Sequence, residues 1–349
     1  MADAVFVLSH NNAREGAPML CQKLAAGLRR SGAFKYAGIY AASAGANPEN
    51  IRVVSVPEFA KHVAAAVQAG MKPVLILSTV VLCRMAVSVR AAIQAAGAAP
   101  DAYRLIGLVH EVRNETFAWV KPQHLVGLDA LVFVAEYTMR SYGPEYAPTT
   151  HRRVIRNWLS PAEKNAIDST PVRRAPVILM VGVVAPHKGQ LHVAQAFARI
   201  SDQFPDHELH LAGHVYDRSY ADAIRSVSPK VRMSGPLAHS AVAAAMRVCD
   251  VFVHGSPMES CCLAVLEAMY SECAVLASEV GGIPEQIRSG ENGLLYPHGD
   301  VAACADTLKG MLLDAGLRRE LGVNARRTVQ SDFYEKEKIA QYVDLFASL

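Results

Sequence analysis

The sequence lacks several features by which other protein classes are recognised. No run of about 18 apolar residues occurs in the 349-residue chain, which argues against a transmembrane helix. The formal net charge is only +3, so the charge balance does not favour nucleic acid as the main partner. The hydrophobic content of 51% is ordinary for a globular protein and excludes a disordered or fibrous chain. The length predicts about two domains.

The number and spacing of the cysteines do not suit structural disulfides. The seven cysteines are an odd number, and no C-x-x-C pair is present, so we expect neither a disulfide framework nor a metal site. The first residues carry no basic segment and turn polar after Leu8, which predicts a strand rather than a signal peptide. We therefore expect a cytoplasmic protein, with the inner face of the membrane as a further location.

Several nucleotide and metal motifs are also missing. Neither G-x-G-x-x-G nor a Walker loop occurs, which argues against an NAD-dependent oxidoreductase and a P-loop enzyme. His110-Glu111 does not continue as H-E-x-x-H, so a zincin site is excluded.

What the sequence does contain is a regular alternation of short apolar runs with longer amphipathic runs. This alternation predicts an α/β fold with two doubly wound, Rossmann-like domains facing a central cleft, because buried parallel strands read as continuous apolar segments. Helices are predicted around Pro18–Leu28, at Glu58–Gln68, Leu82–Ala95, Leu317–Gln330 and Tyr334–Leu349. The predicted strands are Val5–Leu8, Arg52–Val56, Val74–Leu77, Leu105–Val109, Leu131–Val134, Val177–Gly182, Glu208–Ala212, Val231–Met233, Asp250–His254, Ala274–Ala277 and Leu294–Tyr296.

A polar, proline-containing stretch separates the two halves. It runs from about Ser160 to Pro176 and is predicted to be a linker. Because ligands of doubly wound sheets bind beyond the carboxyl ends of the strands, the loops that follow strands are the candidate sites.

Two loops of the first half are candidates. The loop after the first strand contains Gly16 and leads into a helix, which suits an anion as well as a plain connector. His110 ends a strand, where it could hydrogen-bond a sugar hydroxyl or a reacting group, or be a structural histidine satisfied by Glu111.

The second half holds the more informative loops. Lys188 lies at a helix start and could pair with a phosphate, although single lysines are usually solvated. Glu259 and Glu267 stand on either side of a helix start expected near Ser260, roughly 12 Å apart along the axis. That spacing is too wide for a glycosidase pair. It suits the two ends of one polyhydroxylated ligand whose diphosphate lies at the helix start. For Gly281-Gly282 a backbone contact to a ligand and a purely structural turn remain open.

Together these residues resemble the retaining GT-B glycosyltransferases of family 4. The resemblance covers most of the chain and is densest from Val181 to Gly299. Its motifs are Gly182 with His187-Lys188-Gly189, Glu259 and Glu267, Gly281-Gly282-Ile283-Pro284-Glu285, Glu291-Asn292-Gly293-Leu294-Leu295, Ser9-His10, Gly16-Ala17-Pro18, His110-Glu111 and Val154-Ile155-Arg156-Asn157.

The resemblance implies a transfer of a sugar from a UDP- or GDP-sugar to an acceptor hydroxyl, with retention and without a metal or other cofactor. It implies domains at 1–160 and 161–331, with the C-terminal helix 332–349 packing back on the first. No D-x-D occurs, in keeping with a diphosphate stabilised by basic groups and helix ends. The implied catalytic residues are His110, Lys188 and Glu259, and the implied donor-binding residues are Gly16, Gly182, Lys188, Gly213, Ser234, Glu259, Cys261, Cys262, Leu263 and Glu267.

The chain departs from the family pattern at two places. Val183 stands where many members carry arginine, and Ser260-Cys261-Cys262 replaces a glycine-rich turn. Val183 keeps a non-catalytic sugar-nucleotide-binding module as an alternative, beside a GT-B epimerase. A phosphorylase would need a pyridoxal phosphate lysine, which nothing marks. The expected acceptors are a sugar, a lipid-linked compound or a small molecule; a peripheral contact with a membrane surface and the oligomeric state remain open.

Overall fold

The computed structural model describes residues 2–10, 16–43, 51–113, 117–146 and 151–349. The strands are β1 Ala4–Ser9, β2 Tyr36–Ala41, β3 Arg52–Val53, β4 Pro73–Ser78, β5 Arg104–Val109, β6 Ala130–Phe133, β7 His151–Val154, β8 Ala175–Val181, β9 Glu208–Ala212, β10 Val231–Gly235, β11 Cys249–His254, β12 Ala274–Ser278 and β13 Leu294–Tyr296. The helices are α1 Gly16–Ser31, α2 Val56–Gln68, α3 Val80–Cys83, α4 Ala86–Ala95, α5 Glu136–Ser141, α6 Pro161–Asp168, α7 Gln190–Ala198, α8 Arg218–Arg225, α9 His239–Val248, α10 Leu263–Tyr270, α11 Val301–Leu313, α12 Ala315–Asp332 and α13 Glu335–Ser348. None of the helices in these ranges is long and apolar enough to cross a membrane.

The chain folds into two compact units. Unit 1 comprises Met1–Asn157 and Glu335–Leu349, and unit 2 comprises Trp158–Tyr334. The boundaries expected from the sequence, 160/161 and 331/332, differ from these by three residues at each junction.

Unit 1 is built on a parallel sheet with the strand order β3-β2-β1-β4-β5-β6-β7. The central strands β1 and β4 are buried along their whole length, as their continuous apolar sequences predict. Helix α13 packs against α1, where Ile339 lies so close to Gly27 that a side chain at that glycine would collide with it. Arg30 at the end of α1 pairs with Glu335 at 2.8 Å.

Unit 2 is built on a second parallel sheet with the order β10-β9-β8-β11-β12-β13. Its core contains Phe197 from α7, Leu209 from β9 and Val251 from β11, all fully buried. The order reverses between β8 and β11, so the loops that follow these neighbouring strands diverge and leave a crevice at their carboxyl ends.

Several predicted elements are wrong. The strand Arg52–Val56 ends at Val53, because Ser55 caps α2 in a capping box with Glu58. The helix Leu82–Ala95 is two helices, α3 and α4, separated at Arg84-Met85. The supposed linker contains α6, which Ser160 and Glu163 cap in the same way. Helix α1 begins at Gly16, two residues before Pro18. Strands β2 and β7 were not predicted.

Candidate functional site

The crevice of unit 2 is shaped by glycines at which two backbones meet. A Cβ at Gly213, after β9, would lie 1.9 Å from the carbonyl oxygen of Gly182, after β8. A side chain at Gly213 is therefore sterically excluded. The two predicted site glycines, Gly182 and Gly213, lie together at the carboxyl ends of β8 and β9. Gly189, with φ +74°, approaches Gly255 in the same way, since its Cβ would lie 2.0 Å from the Gly255 carbonyl oxygen. These close approaches bring the loop after β8 against the loops after β9 and β11.

Lys188 ends the 3₁₀ turn Pro186–Lys188 that follows β8. Its ammonium Nζ lies 2.7 Å from Oε1 of Glu259, which follows β11. Burial alone would lower the pKa of Lys188, but the charge of Glu259 outweighs burial and raises it. The switch point of the sheet thus joins two of the predicted catalytic residues in one ion pair.

Three polar side chains lie within 3.4 Å of Oε1 of Glu259, and Lys188 is one of them. The Ser256 hydroxyl donates to its Oε1 at 2.9 Å, and Nε2 of His254 lies 3.4 Å from the same oxygen. Burial alone would raise the pKa of Glu259, but His254 and Lys188 outweigh burial and hold it well below its usual range. The carboxylate is therefore charged at neutral pH, with its side chain 13% exposed.

His254 is the last residue of β11 and is buried, with 2% of its surface exposed. Burial alone would lower its pKa, but the nearby Cys262 and Glu259 outweigh burial and raise it. Sequence reasoning missed this residue. The argument that selected His110, a histidine at the carboxyl end of a buried strand, applies equally to His254 and would have found it.

Helix α10 begins at Leu263, three residues later than expected. The backbone N–H of Cys262 donates to Oε1 of Gln286 at 2.8 Å, and Nε2 of Gln286 donates back to the Cys262 carbonyl at 2.9 Å. The Cys262 N–H, expected to be free for a phosphate, thus already has Gln286 as its acceptor. The first N–H to bond within α10 is that of Leu266, which donates to the Cys262 carbonyl at 3.2 Å, so the N–H groups of the preceding residues from Leu263 onward point out of the helix. Cys261 lies beside them and is buried.

Gly281 and Gly282 shape the same turn through the backbone. Gly281 adopts φ +54°, and a Cβ there would lie 1.9 Å from the carbonyl oxygen of Glu259. The Gly282 N–H donates to that carbonyl at 2.9 Å. The double glycine thus has a structural function, which is to fix the backbone that carries Glu259.

Glu267 lies within α10 and is 8% exposed. A carboxylate oxygen of Glu267, one of Glu163 from α6 and a ring nitrogen of His239 from the start of α9 all lie within 4.8 Å of one another. Glu267 is an acidic residue in an apolar helix and therefore needs a polar partner; the structure places it among polar groups. Ser234, the remaining predicted residue of this unit, is exposed on the edge strand β10, and the next residue, Gly235, accepts from the Gly213 N–H at 2.9 Å.

In unit 1 the predicted His110 follows β5 and is partly buried. Its Nε2 lies 3.1 Å from the Ser78 hydroxyl at the end of β4. Burial, followed by the charge of His10, lowers the pKa of His110 to about 3, so the imidazole is neutral at neutral pH. Glu111 accepts from the backbone N–H groups of Val80 and His110. Gly16 is the first residue of α1, and residues 11–15 of the glycine loop lie outside the described part of the chain.

Comparison with known proteins bears on this arrangement. Residues 163–328, most of unit 2, match the family model of glycosyl transferases group 1. A segment of 105 residues is 34% identical to N-acetyl-alpha-D-glucosaminyl L-malate synthase of Bacillus anthracis, covering 30% of this chain and 28% of that protein. A segment of 158 residues is 31% identical to D-inositol 3-phosphate glycosyltransferase of Corynebacterium glutamicum, covering 43% of this chain and 38% of the relative. The chain thus matches less than half the length of these curated relatives.

Solved structures resemble the whole chain. Sucrose-phosphate synthase from Thermosynechococcus elongatus matches with a TM-score of 0.75 at 19% identity, over 99% of this chain and 100% of that one. Anabaena Alr3699/HepE in complex with UDP and glucose matches with a TM-score of 0.74 at 17% identity, over the same shares. These likenesses establish the GT-B fold with its two Rossmann-like domains. The family match over residues 163–328 shows in addition that unit 2 is similar to the glycosyl transferases group 1 family.

Proposed function

We propose that this protein transfers a sugar from a nucleotide-diphosphate sugar to an acceptor hydroxyl, with retention of the anomeric configuration. The observation that carries the proposal is the Lys188–Glu259 pair at the switch point of unit 2, in front of the first turn of α10. A departing diphosphate needs a cation and aligned N–H donors, and this crevice offers both.

The charges of the site suit a ligand with an anionic middle and hydroxyl groups at both ends. A diphosphate at the first turn of α10 would take the Lys188 ammonium from Glu259. The freed carboxylate would then accept hydrogen bonds from hydroxyls of the sugar. Glu267, further along α10, would accept from the ribose. In this arrangement Lys188 neutralises the leaving group, and neither a metal nor another cofactor takes part.

The donor is proposed to be a UDP-sugar, with a GDP-sugar as the alternative. Anabaena Alr3699/HepE, which shares the fold, has been solved with UDP and with UDP-glucose. The acceptor is proposed to be a hydroxyl of a sugar, a lipid-linked compound or a small molecule. His110 of unit 1, neutral at pH 7, is proposed to lie at the acceptor and the transferred sugar. We also propose that the protein is cytoplasmic.

The direct test is Lys188→Ala. Loss of one preorganised donor to the leaving group should lower the rate of donor turnover by about 10²–10³, as removal of an oxyanion-type donor does. Release of UDP from UDP-glucose, with and without candidate acceptors, gives the readout. Lys309→Ala, on α11 of the same unit and outside the crevice, is the matched control and should turn over like the parent protein.

The same assay separates the rival functions. A non-catalytic binding module would raise its melting temperature with UDP or UDP-glucose but release no UDP. An epimerase would change the sugar of the donor without transfer. An unchanged rate in Lys188→Ala would refute the function assigned to Lys188.

A further inference from the structure

We propose that His254, Glu259 and Cys262 form a binding site for a zinc-class divalent cation. The nitrogen, oxygen and sulfur atoms that these three side chains offer all lie within 4.8 Å of one another. They come from two neighbouring segments of unit 2, the end of β11 and the turn before α10, which the Gly281 and Gln286 contacts hold in place. The residues therefore meet because of the sheet topology and the fixed turn.

His254 points to a ligand independently of this cluster. Among the described residues neither of its ring nitrogens makes a hydrogen bond, although only 2% of the residue is exposed. A buried imidazole whose polar contact is limited to Oε1 of Glu259, 3.4 Å from Nε2 and outside hydrogen-bond geometry, is costly to hold. A metal ion bound to one nitrogen would satisfy that atom; it would replace the proton there, which leaves to solvent, because the ligand form is the neutral imidazole.

The donor set suits zinc better than the other common cations. Zinc takes imidazole nitrogen, thiolate sulfur and carboxylate oxygen, whereas Mg²⁺ and Ca²⁺ take oxygen alone. Two ligands about 2.0 Å from a tetrahedral ion stand about 3.3 Å apart. The Nε2 of His254 and Oε1 of Glu259 are 3.4 Å apart. Three protein ligands leave a fourth position for water.

The positive charge of Lys188 disfavours the binding of a cation at this site. Its ammonium lies 2.7 Å from the same Glu259 oxygen, so a bound ion must displace it or share the carboxylate. The Ser256 hydroxyl, 2.9 Å from that oxygen, can remain and orient the carboxylate. The site therefore favours a cation that also binds the Cys262 thiolate and the His254 imidazole over a cation that is attracted only by the charge of Glu259.

The metal site has a consequence that rests on the proposed function. Glu259 cannot serve the cation and the donor sugar together, so zinc and the nucleotide sugar should exclude each other. The cation would then act as an inhibitor of transfer and take no part in the reaction.

The test is a Zn²⁺ titration of the full chain, reduced and freed of metal, against a chromophoric chelator and without nucleotide. We expect one equivalent of Zn²⁺ to be bound, and His254→Gln and Cys262→Ser each to weaken binding at least about tenfold. Cys304→Ser, which removes a buried thiol elsewhere in unit 2, should bind like the parent chain. Parent-like affinity in His254→Gln, or equal weakening in Cys304→Ser, would overturn the proposal.

Two further measurements guard against misfolded variants. Co²⁺ in place of Zn²⁺ should give a thiolate-to-metal charge-transfer band that disappears in Cys262→Ser; a parent chain without that band would also overturn the proposal. Lys188→Met should tighten Zn²⁺ binding at least about threefold, since a positive charge beside the ion is removed. Weaker binding in that variant would contradict the assignment. None of these readouts requires transferase activity, so the metal site and the proposed function can fail separately.

Discussion

The side chain of Gln286 holds the turn at Cys262, which leads into α10 in the crevice of unit 2. Replacing Gln286 by leucine tests how much this turn contributes. The side chain is 2% exposed and makes two hydrogen bonds to the backbone of Cys262, at 2.8 and 2.9 Å. Two such bonds contribute about 1 kcal/mol each, and a buried N–H left without an acceptor costs about 1–3 kcal/mol more. We therefore expect Gln286→Leu to lower the free energy of unfolding of unit 2 by about 3–5 kcal/mol.

The two tryptophans allow unit 2 to be followed alone. Trp158 is fully buried in unit 2, and Trp119 of unit 1 is 38% exposed, so a Trp119→Phe background leaves Trp158 as the reporter. With a slope near 2 kcal/mol per molar urea, the midpoint of the Trp158 transition should fall by about 1.5–2.5 M. Gln330→Leu on the exposed face of α12 is the control and should shift it by less than about 0.3 M.

The function of the turn can be read in the same protein. The folded Gln286→Leu chain should bind UDP more weakly than the parent, because the N-terminal turn of α10 is no longer held. A loss of stability below about 0.5 kcal/mol would refute the reasoning, since surface substitutions without such contacts already fall in that range.

Two further changes test other parts of the molecule. Gly213→Ala should lower the melting temperature by several degrees and abolish UDP-induced stabilisation, because its Cβ would meet the Gly182 carbonyl; Gly310→Ala, in α11 with open space around it, should gain about 0.5–1 kcal/mol by thermal melting. His110 has a pKa of about 3 when folded against an ordinary 6.5, so unfolding takes up a proton between these values. Its stability contribution is full above pH 6.5 and is lost as the pH falls towards 3; urea titrations across that range should show a shallower decline in His110→Gln, and an unchanged pH slope would contradict the assignment.

The strands that form the centres of both sheets follow directly from their apolar runs, and β9 and β13 have the predicted bounds. Strand β7, with the sequence His151-Arg152-Arg153-Val154, is polar because it lies at the sheet edge. In strand β2 the apolar sequence pattern is interrupted by Gly38, so the strand is harder to recognise from the sequence. Helix α6 was predictable, since Ser160, Pro161 and Glu163 together form a capping box with proline at the first position.

The site was predictable to the extent that it depends on loop position. Lys188 and Glu259 were selected because each follows a strand, and the reversal of strand order makes those two strands neighbours. Their ion pair with each other could not be foreseen, because both side chains were expected to face a ligand. Gln286 carries no sequence signal, since its function depends on a contact across 24 residues.

The return of α13 to unit 1 has a consequence for how the protein is made. The chain leaves unit 1 after Asn157, completes all of unit 2, and only then supplies Glu335–Leu349 to the helix that follows the first strand. On the ribosome the later unit can therefore mature before the earlier one. Until Glu335–Leu349 has been synthesised, the apolar face of α1, including the groove at Gly27 that receives Ile339, is exposed to chaperones and to other nascent chains.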